Sequence, residues 1–489
     1  MFNNRRLFIC SCIALVTSAF TFSLHGDVMQ EMGTTFNFKQ QQNGEIGKAI
    51  FYGMAISMLF GGFICDSLGI KRIMFLALAS HLSGTLGMVF SKNVDFTSSD
   101  NAYWWLYVSG LLMGFGNGFT EVGINPLVAT LYHKQKTHFL NILHAWWPGG
   151  LIIGGLLAVF MRKVVFSTGT KANDLIAGFE YWQCCLMLIV IPALVYGFIL
   201  IGSIFPATER VESGVSTGEM FGQVFRPMFL LWAFCMLLTA ATELGPQKWQ
   251  NSVMTSLLDQ ASAGTLILVY TSGMMFVLRH FAGPIAHRLS PVGMLTGSAV
   301  LSAVGLYLLS YADSVQTAFA YATIYGLGIA YFWPTMLGVA AERFPKGGAL
   351  ILALMGSAGN ISVAFVLPQM GKIVDRYAVT HVVENEESLG SVPVSTILKA
   401  DDKGKYTGLD AQAVQSLPEQ SPPREVAESA ERIGFSMAFR WVSILPAALI
   451  FIFGGIALYD KARGGYQPEI LAGRIDPEKL SGGVEGPIQ

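Results

Sequence analysis

The sequence predicts an all-α membrane protein with twelve transmembrane helices in two pseudo-symmetric six-helix bundles. Apolar residues make up 52% of the 489 residues, and charged residues make up 13%, against about 25% in a soluble domain. Glycine is frequent, with 53 residues, as it is where membrane helices pack closely. Twelve apolar stretches are long enough to cross a hydrocarbon core of about 30 Å. The net charge of −1 gives no reason to expect a nucleic-acid partner.

The apolar stretches form two sets of six, separated by a polar linker at 206–224. The N-terminal bundle, at 1–205, is predicted from the stretches 7–29, 46–65, 73–90, 103–131, 139–162 and 179–205. The C-terminal bundle, at 225–375 and 434–460, is predicted from 225–248, 264–286, 292–311, 315–341, 347–374 and 434–459. The first stretch is long for a signal-peptide core and no clear cleavage site follows it, so it is taken as helix 1. Two similar halves of this kind are common in transporters.

The loops indicate the orientation of the chain. Those on the side of the N-terminus carry more Lys and Arg than those on the other side, which predicts a cell (inner or plasma) membrane protein with both termini in the cytoplasm. The polar insertion 376–433 would then lie outside the cell. Its charged, Pro-rich and Ser-rich composition favours a flexible cap over a ligand-binding module. Residues 461–489 are expected to form a solvated cytoplasmic tail.

The turn between predicted helices 2 and 3 carries an acid followed by a basic pair. Asp66 precedes Lys71 and Arg72. An acid at this position can bond a helix N-terminus or an arginine. We therefore expect these three residues to form a conformational latch on the cytoplasmic side, the alternative being an ordinary turn with positive charges.

A carboxylate lies deep inside the fourth apolar stretch. Asn117, Glu121 and Asn125 are spaced four residues apart, so they share one face of a helix. A carboxylate at membrane depth costs several kcal/mol unless it is protonated, paired or wetted. Glu121 is therefore predicted to face a cavity as a substrate or proton site, the alternative being a neutral packing acid.

Two further acids lie near the ends of apolar stretches. Asp27 ends the first stretch and Glu243 lies in the seventh. By depth alone, Asp27 is equally compatible with an ordinary interface residue. Glu243 is equally compatible with a surface pair involving Lys248.

Several motifs resemble those of known transporters. Residues 61–72 resemble the helix 2–3 signature of the major facilitator superfamily, although Ile70 adds one residue before the basic pair. Residues 121–126 (EVGINP) resemble the E-x-x-x-N-P stretch of the fucose–galactose–glucose:proton symporter family within that superfamily. The Leu-Asn pair at 140–141 and the YFWPT stretch at 331–335 also resemble stretches of this family.

The resemblance implies a major facilitator fold and proton-driven uptake of a sugar. The family's acid late in helix 1 carries the proton, and that position falls on Asp27. Its helix 4 acid couples proton and substrate binding, and that position falls on Glu121. His144 and Trp147 stand where the fucose-type member has amide side chains, so the resemblance does not imply fucose itself.

Sugars offer hydroxyls to polar side chains and apolar faces to aromatic rings. The candidate substrate-binding residues are Glu121, Asn125, Asn141, His144, Trp147, Glu243, Gln247, Trp333 and Asn360. The expected partners are a small-molecule substrate of the sugar class, protons and the lipid bilayer, with the oligomeric state open and a monomer compatible.

No enzymatic role, cofactor or metal is expected, since the sequence carries no HExxH, P-loop or CxxC motif. Two alternatives to a symporter stay open. One is a proton-driven exporter or antiporter, because the Pro and Gly residues at 148–150 loosely resemble those of drug antiporters. The other is a transport-fold sensor that uses 376–433 to bind a partner.

Overall fold

Long helices follow the apolar stretches in the computed structural model, which describes residues 3–36, 38, 40–94, 98–166, 178–258, 263–401 and 403–471. The first half contains α1 Asn4–Thr35, α2 Gln40–Leu68, α3 Ile70–Val89, α4 Ser99–Leu131, α5 Lys136–Phe160, α6 Tyr181–Met187 and α7 Val190–Ile201. A π-helical turn, Met161–Val165, extends α5. The linker contains α8 Glu209–Glu212 and α9 Thr217–Val224.

The second half repeats this arrangement of long helices. It contains α10 Pro227–Leu258, α11 Ala263–His280, α12 Ala282–Leu289, α13 Pro291–Leu309, α14 Val315–Ile329, α15 Phe332–Arg343, α16 Gly348–Glu384, α19 Pro422–Val442 and α20 Ile444–Ala462. Between α16 and α19 lie α17 Val394–Ile397, β1 Leu398–Ala400, β2 Tyr406–Leu409 and α18 Ala411–Ser416.

Ten helical segments of the described chain are long and apolar enough to cross a membrane, and the pair of helices bent by 65° at 266–289 makes eleven. The helix α4 is not among them, although it is 33 residues long and packs against α2 and α3. Its polar side chains, including Asn117, Glu121 and Asn125, lower its hydropathy. The predicted all-helical membrane architecture is confirmed, and α4 is the helix that composition describes least well.

Small residues let the helices approach closely within and between the halves. A Cβ atom on Gly114 of α4 would lie 2.0 Å from the carbonyl oxygen of Ile50 on α2, so only glycine permits this contact. Between the halves, α2 packs against α16, and α5 packs against α11 and α15. These inter-half contacts surround the central cavity described below.

The insertion between the last two membrane helices differs from the expected flexible cap. The helix α16 continues to Glu384 and α19 begins at Pro422, so helix replaces much of the predicted loop at both ends. The strands β1 and β2 pair antiparallel. A small core joins this segment to the helices and consists of Ala378, Val382, Leu389, Val394, Ile397, Leu398 and Ala430. The polar composition of 376–433 did not predict this core, because α16 and α19 supply part of its apolar side chains.

Candidate functional site: a cavity between the two halves

A cavity of about 290 Å³ lies between the two halves, near the lower end of the range for small-molecule sites. The first half lines it with Phe22, Ser23, Phe51, Met54, Glu121, His144, Trp147, Leu151 and Ile152. The second half lines it with Glu243, Leu244, Gln247, Leu268, Val269, Ser272, Arg279, Trp333, Asn360 and Val363. The lining is mostly apolar with a few convergent polar groups, as is typical of a small-molecule site.

On the first half, Glu121 and His144 line the cavity, and Asn125, which is not among the lining residues, joins them in a hydrogen-bonded chain behind this polar wall. Asn125 Nδ2 donates to Glu121 Oε2 at 2.7 Å, and His144 Nε2 lies 2.9 Å from Asn125 Oδ1. His144 Nε2 also lies 3.8 Å from Glu121 Oε2. Because the amide oxygen of Asn125 can only accept, His144 is the donor in that bond. Among the described residues no Lys or Arg pairs with Glu121, so its charge has no fixed cation.

The polar wall of the second half is a neutralised ion pair. Glu243 Oε1 lies 2.8 Å from Arg279 Nη2, and both side chains are at least 95% buried. Glu243 Oε2 accepts from the backbone N–H of Trp333 at 3.2 Å, near the N-terminus of α15, where a carboxylate is favoured. The alternative of a surface pair is therefore wrong, because Glu243 binds Arg279 on a neighbouring helix inside the protein.

Arg279 is a functional candidate for which the sequence predicts no role, although it is one of the few charged residues inside an apolar stretch. Its Nε donates to the carbonyl oxygen of Ala330 at 2.6 Å, and its Nη1 donates to that of His144 at 2.8 Å. One guanidinium thus joins α11 to α10, to the break between α14 and α15, and to α5 of the other half. A basic residue within an apolar stretch was the signal available in the sequence.

The remaining candidate binding residues divide between the cavity and its surroundings. Gln247, Trp147, Trp333 and Asn360 line the cavity. Asn360 Nδ2 donates to the Gly356 carbonyl at 3.0 Å. The ring of Trp147 meets that of Phe22 edge to face at 5.1 Å.

Asn141 is not among the cavity-lining residues. Its Nδ2 donates to the Thr137 carbonyl at 2.8 Å and to Thr335 Oγ1 of the other half at 3.1 Å. This side chain therefore joins the two halves beside the cavity.

Asp27 also lies apart from the cavity lining. Its Oδ2 accepts from the Tyr181 hydroxyl at 2.6 Å and from Arg162 Nη2 at 3.1 Å. Arg162 also pairs with Glu31 at 2.8 Å. The side chain of Asp27 is 32% exposed, as an interface residue would be. Its role as proton carrier stays a prediction.

The three predicted latch residues make different contacts on the face of the protein that carries both ends of the described chain, here called the terminal face. Asp66 accepts from Arg210 Nε at 2.5 Å and from Thr208 Oγ1 at 2.7 Å, both in the linker. Lys71 Nζ donates to the Ser203 carbonyl at 2.8 Å. Arg72 donates to the Leu68 carbonyl one turn away, and neither recorded contact of Asp66 involves it.

The two halves also meet directly on the terminal face. Glu342 of α15 accepts from the backbone N–H of Thr137 at 3.1 Å and from its hydroxyl at 2.7 Å. Lys136 Nζ pairs with Glu209 at 2.6 Å and donates to the Ala341 carbonyl at 3.2 Å. The terminal face is therefore closed, and the cavity continues away from it along α5 and α11, past Leu151 and Leu268.

Comparisons with known proteins agree with this architecture. Residues 11–367 match the model of the Major Facilitator Superfamily, and the chain therefore belongs to this superfamily of membrane transporters. It is a multi-pass membrane transporter and not an enzyme.

The relatives found by sequence comparison are distant, and two of them are named for the transport of organic acids. The chain is 24% identical over 394 residues to the cis,cis-muconate transport protein of Acinetobacter baylyi, which covers 74% of this chain and 89% of that protein. It is 20% identical over 419 residues to the gentisate transporter of Corynebacterium glutamicum, covering 76% and 88% respectively.

Solved structures confirm the fold. A proton:xylose symporter, XylE, superimposes with a TM-score of 0.67 at 12% identity, covering 92% of this chain and 95% of that one. The E. coli fucose:proton symporter FucP superimposes with a TM-score of 0.62 at 15% identity, covering 92% and 98%. The predicted resemblance to the major facilitator fold of sugar symporters is confirmed.

Proposed function

We propose that this transporter is a proton-coupled symporter for a small neutral solute rich in hydroxyl groups, with a hexose as the model substrate. The observation that carries this proposal is the buried Glu121, which lines the cavity and has no Lys or Arg partner among the described residues, the imidazole of His144 lying 3.8 Å away. A buried carboxylate without a cation is stable when it binds a proton. Proton binding at Glu121 therefore alters the charge of the cavity wall that a substrate touches.

The charge balance of the cavity supports a neutral substrate. The guanidinium of Arg279 is matched by Glu243, and its donors also bond two carbonyl oxygens. Among the described residues of this wall, no unmatched positive charge is available to attract an anion. Amide, imidazole and carboxylate groups beside Trp147 and Trp333 offer hydrogen bonds and ring faces, which are the contacts that a sugar makes.

Transport of a small organic acid is the second candidate. It is favoured by the position of Arg279 on the cavity wall and by the names of the muconate and gentisate relatives. A carboxylate substrate would have to displace Glu243 from Arg279 or bind the remaining guanidinium N–H groups. Such an exchange between two carboxylates would make uptake depend on Arg279 far more strongly than sugar uptake does.

The proposed mechanism is alternating access between two six-helix bundles at 1–205 and at 225–375 with 434–460. With the terminal face in the cytoplasm of a cell-membrane protein, the cavity extends toward the outside. Protonation of Glu121 removes a buried charge and favours binding of the solute, and the bundles then rock about the site and open the terminal face. Asp27 would take part as the first proton acceptor.

The test is uptake into proteoliposomes under an imposed inward pH gradient, with hexoses and pentoses in one panel and gentisate, benzoate and muconate in the other. Accumulation of a sugar that collapses with a protonophore supports the proposal. Accumulation of the acids alone favours the second candidate. Efflux driven by the opposite gradient, or dependence on sodium, contradicts proton symport.

A further inference from the structure

Proline residues inside the membrane helices leave particular carbonyl groups without their usual donors. Pro148 lies inside α5, and Pro334 lies in the first turn of α15. Because proline has no N–H, the carbonyl four residues earlier loses its helical hydrogen bond. Pro148 thus frees the His144 carbonyl within α5, whereas the Ala330 carbonyl has no helical donor because it lies at the break between α14 and α15. Inside a membrane each of these carbonyls needs another donor.

Arg279 supplies a donor to both of these carbonyls. Its Nη1 lies 2.8 Å from the His144 oxygen, and its Nε lies 2.6 Å from the Ala330 oxygen. The first carbonyl belongs to one half of the protein and the second to the other. The Arg279 side chain is only 2% exposed, so water does not replace these bonds at low cost.

Other prolines show the same pairing without joining the halves. The Thr242 carbonyl, freed by Pro246, accepts from the Tyr325 hydroxyl at 3.0 Å within the second half. The Val122 carbonyl, freed by Pro126, accepts from Cys65 Sγ at 3.6 Å within the first half. Among the hydrogen bonds of the described residues, the Arg279–His144 bond is the one that joins a side chain of one half to a carbonyl freed by proline in the other half.

We propose that Arg279 is a positioning residue that holds the two halves in the conformation with a closed terminal face, by donating to the carbonyl that Pro148 frees. Opening this face separates α5 from α11 and leaves a buried carbonyl without a donor. We call this Arg279–His144 bond the clamp. The same guanidinium also bonds Glu243, which lines the cavity, so the clamp is connected to the wall that a solute would touch. This clamp acts before any solute binds, so it does not depend on whether the substrate is a sugar or an acid.

The experiment measures the distance between spin labels on the terminal face by pulsed electron resonance, in lipid nanodiscs without substrate. The labels are placed by Gln135→Cys and Arg288→Cys, which are exposed residues on opposite halves, in a Cys184→Ser background that removes the least buried native thiol. Arg279→Lys keeps a cation for Glu243 but removes the planar fork. We expect it to raise the ratio of open to closed terminal face on the order of 10-fold.

The decisive arm repeats Arg279→Lys together with Pro148→Ala. An alanine at position 148 gives the His144 carbonyl an intrahelical donor, so we expect the same Arg279 substitution to shift the ratio less than about 2-fold. A matched control, Pro368→Ala in α16, changes a membrane proline whose freed carbonyl (Ala364) is not bonded by Arg279, and should preserve the full shift. Equal shifts with proline and with alanine at position 148, or no shift with either, would overturn the proposal.

Should Arg279→Lys prevent folding, the pair Glu243→Gln with Arg279→Gln takes its place, because removing both charges avoids an unpaired buried ion. The same dependence on residue 148 is expected from this double variant. If the double variant changes the ratio of open to closed terminal face equally with proline and with alanine at position 148, the clamp would again be excluded. Because no substrate is present, this experiment tests the clamp independently of the uptake panel, which tests the proposed function.

Discussion

The two polar walls of the cavity hold carboxylates in opposite electrostatic situations. Glu121 is bonded by the amide of Asn125 and lies near the imidazole of His144. Glu243 is bonded by a guanidinium and by a helix N-terminus. Both carboxylates are almost fully buried. Burial alone therefore does not define function, since the partner of a carboxylate determines whether it can exchange a proton.

The largest effect is expected from Glu121→Gln, which removes the exchangeable proton and keeps the shape of the side chain. We expect pH-driven accumulation in proteoliposomes to fall to the background level, while exchange of labelled for unlabelled substrate persists. Asp27→Asn, measured beside it, tests the proton role predicted for Asp27. Full concentrative uptake by the Glu121 variant would remove this residue from the coupling mechanism.

The second effect concerns stability and should appear on the other wall. Glu243→Ala leaves Arg279 as an unpaired buried charge, so we expect a loss of about 3–5 kcal/mol in the free energy of unfolding. Glu121→Ala leaves only neutral groups without a partner and should cost about 1–3 kcal/mol. Denaturant unfolding in detergent, monitored by tryptophan fluorescence, measures both. Equal losses would mean that the two walls do not differ electrostatically.

A smaller effect is expected from Asn125→Ala, which removes the link between Glu121 and His144. The apparent KM should rise about 10-fold, as for loss of the two hydrogen bonds that hold the cavity-lining side chains of Glu121 and His144 in place, with the pH-driven mode retained. Asn360→Ala, on the opposite wall, should change the KM less, because its recorded bonds are to Gly356 and Met58. A larger effect at Asn360 would place the main substrate contacts on the second half.

The smallest effect is expected on the terminal face, away from both walls. Asp66→Asn weakens the bond to Arg210 and should change the transport rate a few-fold with little change in KM. Arg72→Ala is the matched control, because the recorded bond of Arg72 lies within its own turn. We expect it to leave the rate unchanged. A stronger effect of Arg72 than of Asp66 would contradict the contacts seen on this face.

Much of the architecture could be predicted because membrane helices obey strong local rules. A stretch of about 20 apolar residues has to satisfy its own backbone hydrogen bonds in lipid, so it forms a helix wherever it lies in the chain. The insertion was less predictable, since its core depends on Ala378 and Val382 of α16 meeting residues of α17 and β1 and, farther along the chain, Ala430 of α19.

The candidate site divides in the same way. Glu121 and Asn125 are one helical turn apart, so their hydrogen bond follows from local geometry. The partner of Glu243 did not follow, because Arg279 lies 36 residues away on another helix and Lys248 was nearer in sequence. Asn141 was predicted to bind substrate but bonds Thr335 across the interface beside the cavity, a distinction that depends on how the halves meet.

The sequence by itself determined that this protein is a helical membrane protein with a carboxylate deep in an apolar stretch at Glu121, because hydropathy and local spacing are properties of consecutive residues; its motifs then pointed to a transporter by their resemblance to a known superfamily. Only the tertiary structure decided which buried charges are neutralised and which carbonyls freed by proline find a donor. Those outcomes depend on how helices that are distant in the chain approach one another. At Arg279, one guanidinium on α11 bonds groups on α5, on α10 and at the break between α14 and α15.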